Sequence, residues 1–214
     1  MTGVRRRWAA GAAGVLLGLS AAGCGIRPTE VPTDFGSAPS RTPCAVSEPP
    51  ADGPDAVGVP MRVFLVCASQ LAAVQRRVEL PAEQDAGQSA ERAAGKDDRG
   101  RVARALLEQL ALPMARAERQ AGYTTDVPDR LVVTGPQAGD PRDALRLSAP
   151  VAGLEPFALA QLVCTLAHSA AAAHDGRVVL GGPGDSALHA YECTPEVRAR
   201  PGSHGPPRTE VRGG

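Results

Sequence analysis

Asparagine is missing from the 214-residue chain, lysine occurs once (Lys96) and isoleucine once (Ile26). These residues have AT-rich codons, so the bias points to a GC-rich bacterial genome, and the 22 arginines carry no message about phosphate recognition. Without asparagine there is no N-x-S/T glycosylation site. Aromatic residues make up only 3%, which leaves too few rings for the stacking platforms of single-strand nucleic-acid binders. The only tryptophan, Trp8, lies in a segment expected to be removed, so a tryptophan-paved sugar groove is excluded too. Net charge is zero, which removes the basic footprint of a nucleic-acid binder. No apolar run reaches the roughly 20 residues a membrane-spanning helix needs.

What is present begins with an address. Arg5, Arg6 and Arg7 precede a short apolar stretch, Trp8 to Leu19, and then Ser20-Ala21-Ala22-Gly23-Cys24. Twelve apolar residues after a basic start read as a signal peptide over 1–23. The small residues before Cys24 resemble a bacterial lipobox, which implies cleavage just before Cys24 and a diacylglycerol on its sulfur. Ala21 stands where that motif usually has leucine. Removing 1–23 leaves 20 basic against 23 acidic side chains, so the remaining chain is slightly acidic and has no polybasic patch for anionic lipid. Attachment to the outer face of the cell membrane would then rest on acyl chains at Cys24, and stable anchoring takes more than one.

Four cysteines remain: Cys44, Cys67, Cys164 and Cys193. An even number in an oxidising compartment implies two disulfides, with three possible connectivities. None shows CxxC spacing, which argues against zinc and dithiol redox chemistry. Cys67 and Cys164 fall in expected core elements and Cys44 and Cys193 in the flanks, so the favoured pairs are Cys44–Cys67 and Cys164–Cys193, each stapling a flank to the core.

Residues 24–60 are rich in proline with Gly, Ser, Thr and Asp, and read as a tether reaching about 3 Å per residue. A folded domain is expected over 61–193 and a disordered Pro/Gly/Arg tail over 194–214. Met61 to Cys67 reads as a central strand, because both of its faces are apolar. Leu71 to Leu80 is its hairpin partner. Residues 81–100 read as a charged loop. Val102, Leu106 and Leu110 mark a first helix that closes at Pro113. Strands follow at 130–134 and 143–149. Pro156 opens a second helix with a Leu159, Leu162, Val163, Leu166 stripe. Further strands are expected at 177–180 and 188–193. The order β-β-α-β-β-α-β(-β) gives an α+β class: a mostly antiparallel sheet of five or six strands covered by two helices.

The Met61–Cys67 strand, the Ala103–Leu110 helix, the Gln161-Leu-Val-Cys-Thr-Leu166 helix and the Val178–Leu180 strand, in this order, resemble the GerMN domain. That domain occurs in spore-germination and sporulation proteins and in actinobacterial envelope lipoproteins. The resemblance spans about 61–184. It implies a non-enzymatic envelope role beside sensory or cell-wall machinery, a sensor-kinase ectodomain among the partners, and it transfers no catalytic residues. The charged insert at 81–100 and the cysteines depart from the family pattern.

Several local patterns have both a chemical reading and a plainer structural one. Gly184-Asp185-Ser186-Ala187-Leu188 looks like the nucleophile block of GDSL esterases, with His189 nearby as a base. Too little chain follows for the distant partners those enzymes use, so a secreted serine hydrolase using Ser186 and His189 is the alternative reading, beside a small-ligand or wall-polymer binding module. Cys164, His168 and His174 do not match zinc spacing, and no metal or cofactor is expected. Gly181 to Gly184 lacks the Gly-Lys-Ser/Thr of a phosphate loop. Glu83, Asp85, Glu91, Asp97 and Asp98 lack calcium-loop spacing. Gln161 and Thr165 share a helix face at i, i+4. They are either a polar patch for a partner or a structural pair, with Thr165 bonding to the turn before it and Gln161 capping a neighbouring strand.

Overall fold

The computed structural model describes residues 44–45, 58–80 and 94–211, all within one compact unit. Its class is α+β, with a mostly antiparallel strand arrangement. The strands divide into two sheets, where one sheet of five or six was expected. β1 (Val59–Cys67) and β2 (Gln70–Val78) form an antiparallel hairpin in register Val59↔Val78 to Cys67↔Gln70. Its two-residue turn puts Ala68 and Ser69 at φ 49° and 63°. Positive φ at both central positions is the twist-matched geometry for a tight hairpin, at a cost of about 1 kcal/mol per non-glycine residue.

The second sheet has the order β3-β4-β5-β6-β7: β3 (Val133–Thr134), β4 (Ala144–Leu147), β5 (Val178–Gly181), β6 (Leu188–Tyr191) and β7 (Arg208–Val211). Only β4 and β5 run parallel, and the chain between them carries a helix, as parallel neighbours require. Among the described residues there are four α-helices: α1 (Ala94–Ala111), α2 (Arg116–Gln120), α3 (Pro156–Ala167) and α4 (Pro195–Ala199). A short 3-10 turn, Val151–Gly153, precedes α3.

α3 lies at the centre. Every residue from Ala160 to Leu166 is buried, so this helix is apolar nearly all round and not on one stripe. Leu162, Val163 and Leu166 join the main core with Val63, Leu65, Leu106, Leu110, Leu145, Leu180 and Tyr191. Ala160 and Cys164 join a second cluster with Phe64, Leu71 and Val197. β1 therefore meets α3 edge-on, one face turned to each cluster. That explains the apolar residues on both faces of β1 and corrects its expected place as a central strand: among the described residues it has one strand neighbour, β2, plus a single bridge, Val66↔Thr124.

Two further boundaries differ from expectation. α1 starts at Ala94, inside the stretch read as a loop. Gly95 and Gly100 hide the helical period there. The region after 193 is ordered through Val211, where a disordered tail was expected. Thr194 Oγ1 accepts a bond from Val197 N (3.3 Å) to cap α4, Val197 is buried, and β7 pairs antiparallel with β6. One buried valine and one strand pairing outweigh the Pro/Gly composition.

Candidate functional site

Cys24 lies outside the described residues. The other four cysteines form the two favoured pairs: Cys44–Cys67 with Cα atoms 5.8 Å apart, and Cys164–Cys193 at 4.9 Å. The first joins a point upstream of β1 to the end of that strand. The second joins the buried face of α3 to the chain between β6 and α4. Cys164 is thereby removed as a metal ligand. His168 packs against Phe64 with the rings tilted at 50° and their centroids 4.8 Å apart, and takes its Nδ1 to the Cys164 carbonyl oxygen at 2.9 Å, and among the described residues no three His, Cys, Asp or Glu side chains group to hold a metal.

Gln161 and Thr165 are fully buried, so they offer no surface patch. Both act on the unpaired edge of β1. Phe64 N donates to Thr165 Oγ1 (3.0 Å), Gln161 Nε2 donates to Phe64 O (3.1 Å), and Asp126 N donates to Gln161 Oε1 (2.8 Å). Two helix side chains thus stand where a third strand would be, two residues before Val66 pairs with Thr124. The strand-capping role expected for Gln161 is what the geometry shows. Thr165 bonds to Phe64 and not to its own helix. A buried amide N–H left without its acceptor costs about 1–3 kcal/mol, which is why polar residues sit on an otherwise apolar helix.

Ser186 and His189 do not make a nucleophile–base pair. Ser186 Oγ donates to Pro183 O (2.7 Å), closing the Gly-rich turn, and the His189 ring lies 6.2 Å from that of Tyr191 on the same face of β6. The turn is held instead by a residue without a sequence motif, Arg146. Its Nη1 donates to Ser186 O (2.6 Å) and Gly182 O (3.2 Å), while Nε and Nη2 grip both oxygens of Asp140 (2.9 and 2.7 Å). Both side chains are more than 90% buried. Gly181 is required here, because a Cβ would come within 2.8 Å of the Arg146 guanidinium and 2.7 Å of Leu188. The hydrogen bonds from Arg146 hold the Asp140 carboxyl below the usual carboxylate range, against the opposing effect of burial.

A second buried pair braces α2. Arg76 on β2 donates Nε and Nη2 to Glu118 (2.9 and 2.6 Å) and Nη1 to the Gln109 carbonyl. Glu118 also accepts from Ala115 N (2.8 Å). α2 leads into Ala121 and Tyr123, which hold Cys44: Cys44 N donates to Ala121 O (3.0 Å) and Tyr123 Oη donates to Cys44 O (2.6 Å). Burial, and then the nearby Glu118 charge, raise the Tyr123 pKa above the ordinary tyrosine value.

The candidate binding surface is a groove of about 420 Å³ between the C-terminal half of α1 and β3. Leu107, Ala111, Leu131 and Val133 form its floor, and Arg104, Glu108 and Asp129 stand at its rim. Leu112 and Val132 line it while 47% and 49% exposed, two of the three large apolar side chains most exposed among the described residues. The helical period marked Leu106 and Leu110 but gave no signal for a groove, because Leu112 and Val132 belong to no motif. Acidic residues of the 81–100 stretch fall mostly outside the described side chains, and Asp98 pairs with Arg101 at 2.6 Å. No helix among the described residues is long and apolar enough to cross a membrane. Compared with known proteins, the chain matches no family model, no curated protein and no solved structure.

Proposed function

We propose that this is a lipid-anchored protein of the outer face of the cell membrane, non-enzymatic, whose GerMN-like domain binds another envelope protein such as a sensor-kinase ectodomain. The observation that carries the reading is the cysteine arithmetic. Four cysteines pair within the domain, as an oxidising compartment favours, and the fifth, Cys24, is left at the end of a signal-like segment. The groove between α1 and β3 supports the binding role, since paired exposed apolar side chains with a charged rim are the usual anatomy of an anchor pocket. Against the hydrolase alternative, the Ser186 hydroxyl is engaged by a backbone carbonyl and the turn that carries it is locked by Arg146.

A photo-crosslinking amino acid at Leu112, introduced in the full chain in its own cells, tests the reading. A discrete adduct with a membrane protein is expected, reduced at least about tenfold by Val132→Asp, which puts a charge into the apolar pocket. Adducts that persist unchanged in the Val132→Asp chain contradict it.

A further inference from the structure

The five-stranded sheet has two edges, and the fold treats them differently. At one, Val133 of β3 is fully buried beside α1. At the other, Arg208, Thr209 and Glu210 of β7 are all exposed, and β6 is the only strand that β7 pairs with among the described residues. The ladder decides which backbone groups remain. Glu192 N donates to Pro207 O, and the register runs from Tyr191↔Arg208 to Leu188↔Val211. In an antiparallel pair, residues that exchange hydrogen bonds alternate with residues that do not. Pro207, Thr209 and Val211 therefore face β6. Arg208 and Glu210 turn their N–H and C=O groups outward, where no group among the described residues meets them.

We infer that this edge pairs with the same edge of a second copy, antiparallel about a two-fold axis at Thr209, so that two five-stranded sheets join into one. A second β7 must set its own outward residues opposite these two. Within the strand that leaves three registers: Arg208 opposite Arg208, Glu210 opposite Glu210, or Arg208 opposite Glu210. The first two put like charges face to face, which is destabilising. The third puts an Arg208–Glu210 pair on each side of Thr209, and two-fold symmetry makes both pairs from one patch. Charged side chains on an edge ordinarily keep sheets apart. Here one charge of each sign flanks a threonine, so the same pattern repels two registers and favours the third.

In that register Arg208 of one copy and Glu210 of the other exchange both of their N–H···O bonds, and the axis repeats the exchange. The two Thr209 residues form the central pair without hydrogen bonds, their Cα atoms about 4.5 Å apart. Thr209 lies on the sheet face that carries Leu188, Ala190 and Val211, so the small apolar cluster of Ala144, Val179, Leu188 and Ala190 continues from one copy into the next. Pro206 and Pro207 have no N–H and end the ladder on one side. A stable interface takes roughly 20–30 residues a side, so a joint built on one four-residue strand is weak and reversible. It does not involve the α1–β3 groove and stands apart from the binding role proposed for that surface.

Covalent trapping suits a weak joint. Thr209→Cys is introduced in the full chain, and whole cells that express it are oxidised with copper phenanthroline, so that the outcome does not depend on how the chain is anchored. A covalent homodimer is expected, linked through position 209 in both copies, with Cys44–Cys67 and Cys164–Cys193 intact on peptide mapping. Arg208→Cys alone should link to itself poorly, because the register sets the two copies of that position about 8 Å apart, beyond disulfide reach. Adding Arg208→Glu to the Thr209→Cys chain should lower the dimer yield at least about fivefold, and adding Glu210→Arg as well should restore it, since the swap recreates the opposite pairs. All three side chains are exposed, so melting by circular dichroism should stay that of the wild type. A folded Thr209→Cys chain that gives no dimer overturns the joint. So does a yield that Arg208→Glu leaves unchanged or the swap fails to restore, or an adduct with a different protein.

Discussion

Replacing Arg146 by alanine is expected to lower the stability of the domain by about 3–5 kcal/mol, the cost of stranding one half of a buried ion pair. The guanidinium makes four hydrogen bonds, two to Asp140 and two to the carbonyls of Gly182 and Ser186, and all lose their donor at once. For a unit of this size that corresponds to a fall in melting temperature of roughly 10 °C by circular dichroism. Lysine should not rescue it, because a single ammonium cannot engage both carboxylate oxygens and the turn carbonyls together. The pair also sets a pH dependence. The Asp140 carboxyl is held below its unfolded value by Arg146, so its contribution is complete above the unfolded carboxylate pKa of about 4 and is lost as pH falls through the lower folded value. Unfolding midpoints measured from pH 7 down to pH 2 should show the acid loss in the wild type and a flatter profile in Asp140→Asn. A Ser186→Ala chain, by contrast, should melt close to wild type, since only the bond to Pro183 O is removed at an exposed turn.

The second large effect is expected from Cys164→Ser/Cys193→Ser. A 29-residue separation gives about 3.5 kcal/mol from chain entropy alone. The loss should be uneven. α4 and β7 hang on this disulfide, on Val197 in the smaller cluster and on the β6–β7 ladder, so their amides should lose exchange protection before those of α1 and the β1–β2 hairpin. Hydrogen exchange read by mass spectrometry over 195–211 and over 59–78 distinguishes this from a uniform decrease. Equal loss in both regions would show that the disulfide supports the whole unit and not its C-terminal elements.

Much of the fold was legible because its local signals are strong. The apolar strand around Phe64, the Leu106 and Leu110 period and Pro156 at a helix start each follow from spacing alone, and the disulfide pairs followed from placing each cysteine in core or flank. What periodicity could not convey was partnership over distance. Two apolar faces on β1 suggested strands on both sides, yet one side is α3, and the residues that make this possible, Gln161 and Thr165, read from sequence either as a surface patch or as a structural pair. Their burial depends on Phe64, about a hundred positions away. Arg146 was equally hidden: an arginine in an alternating strand reads as its solvent face, and only the turn after β5 and Asp140 make it a buried clamp. Val197 had too little apolar company to announce α4, and the groove at Leu112 and Val132 exists only because α1 lies beside β3.

Anchoring at Cys24 depends on where the processed chain begins and what its first residue carries. Mass spectrometry of the membrane-extracted protein, read on its N-terminal peptide, addresses this directly. The predicted result is a peptide starting at Cys24 whose mass includes a diacylglycerol on sulfur, and which disappears in Cys24→Ala. An unmodified Cys24, found inside a longer N-terminal peptide or behind a cut elsewhere, would contradict the account.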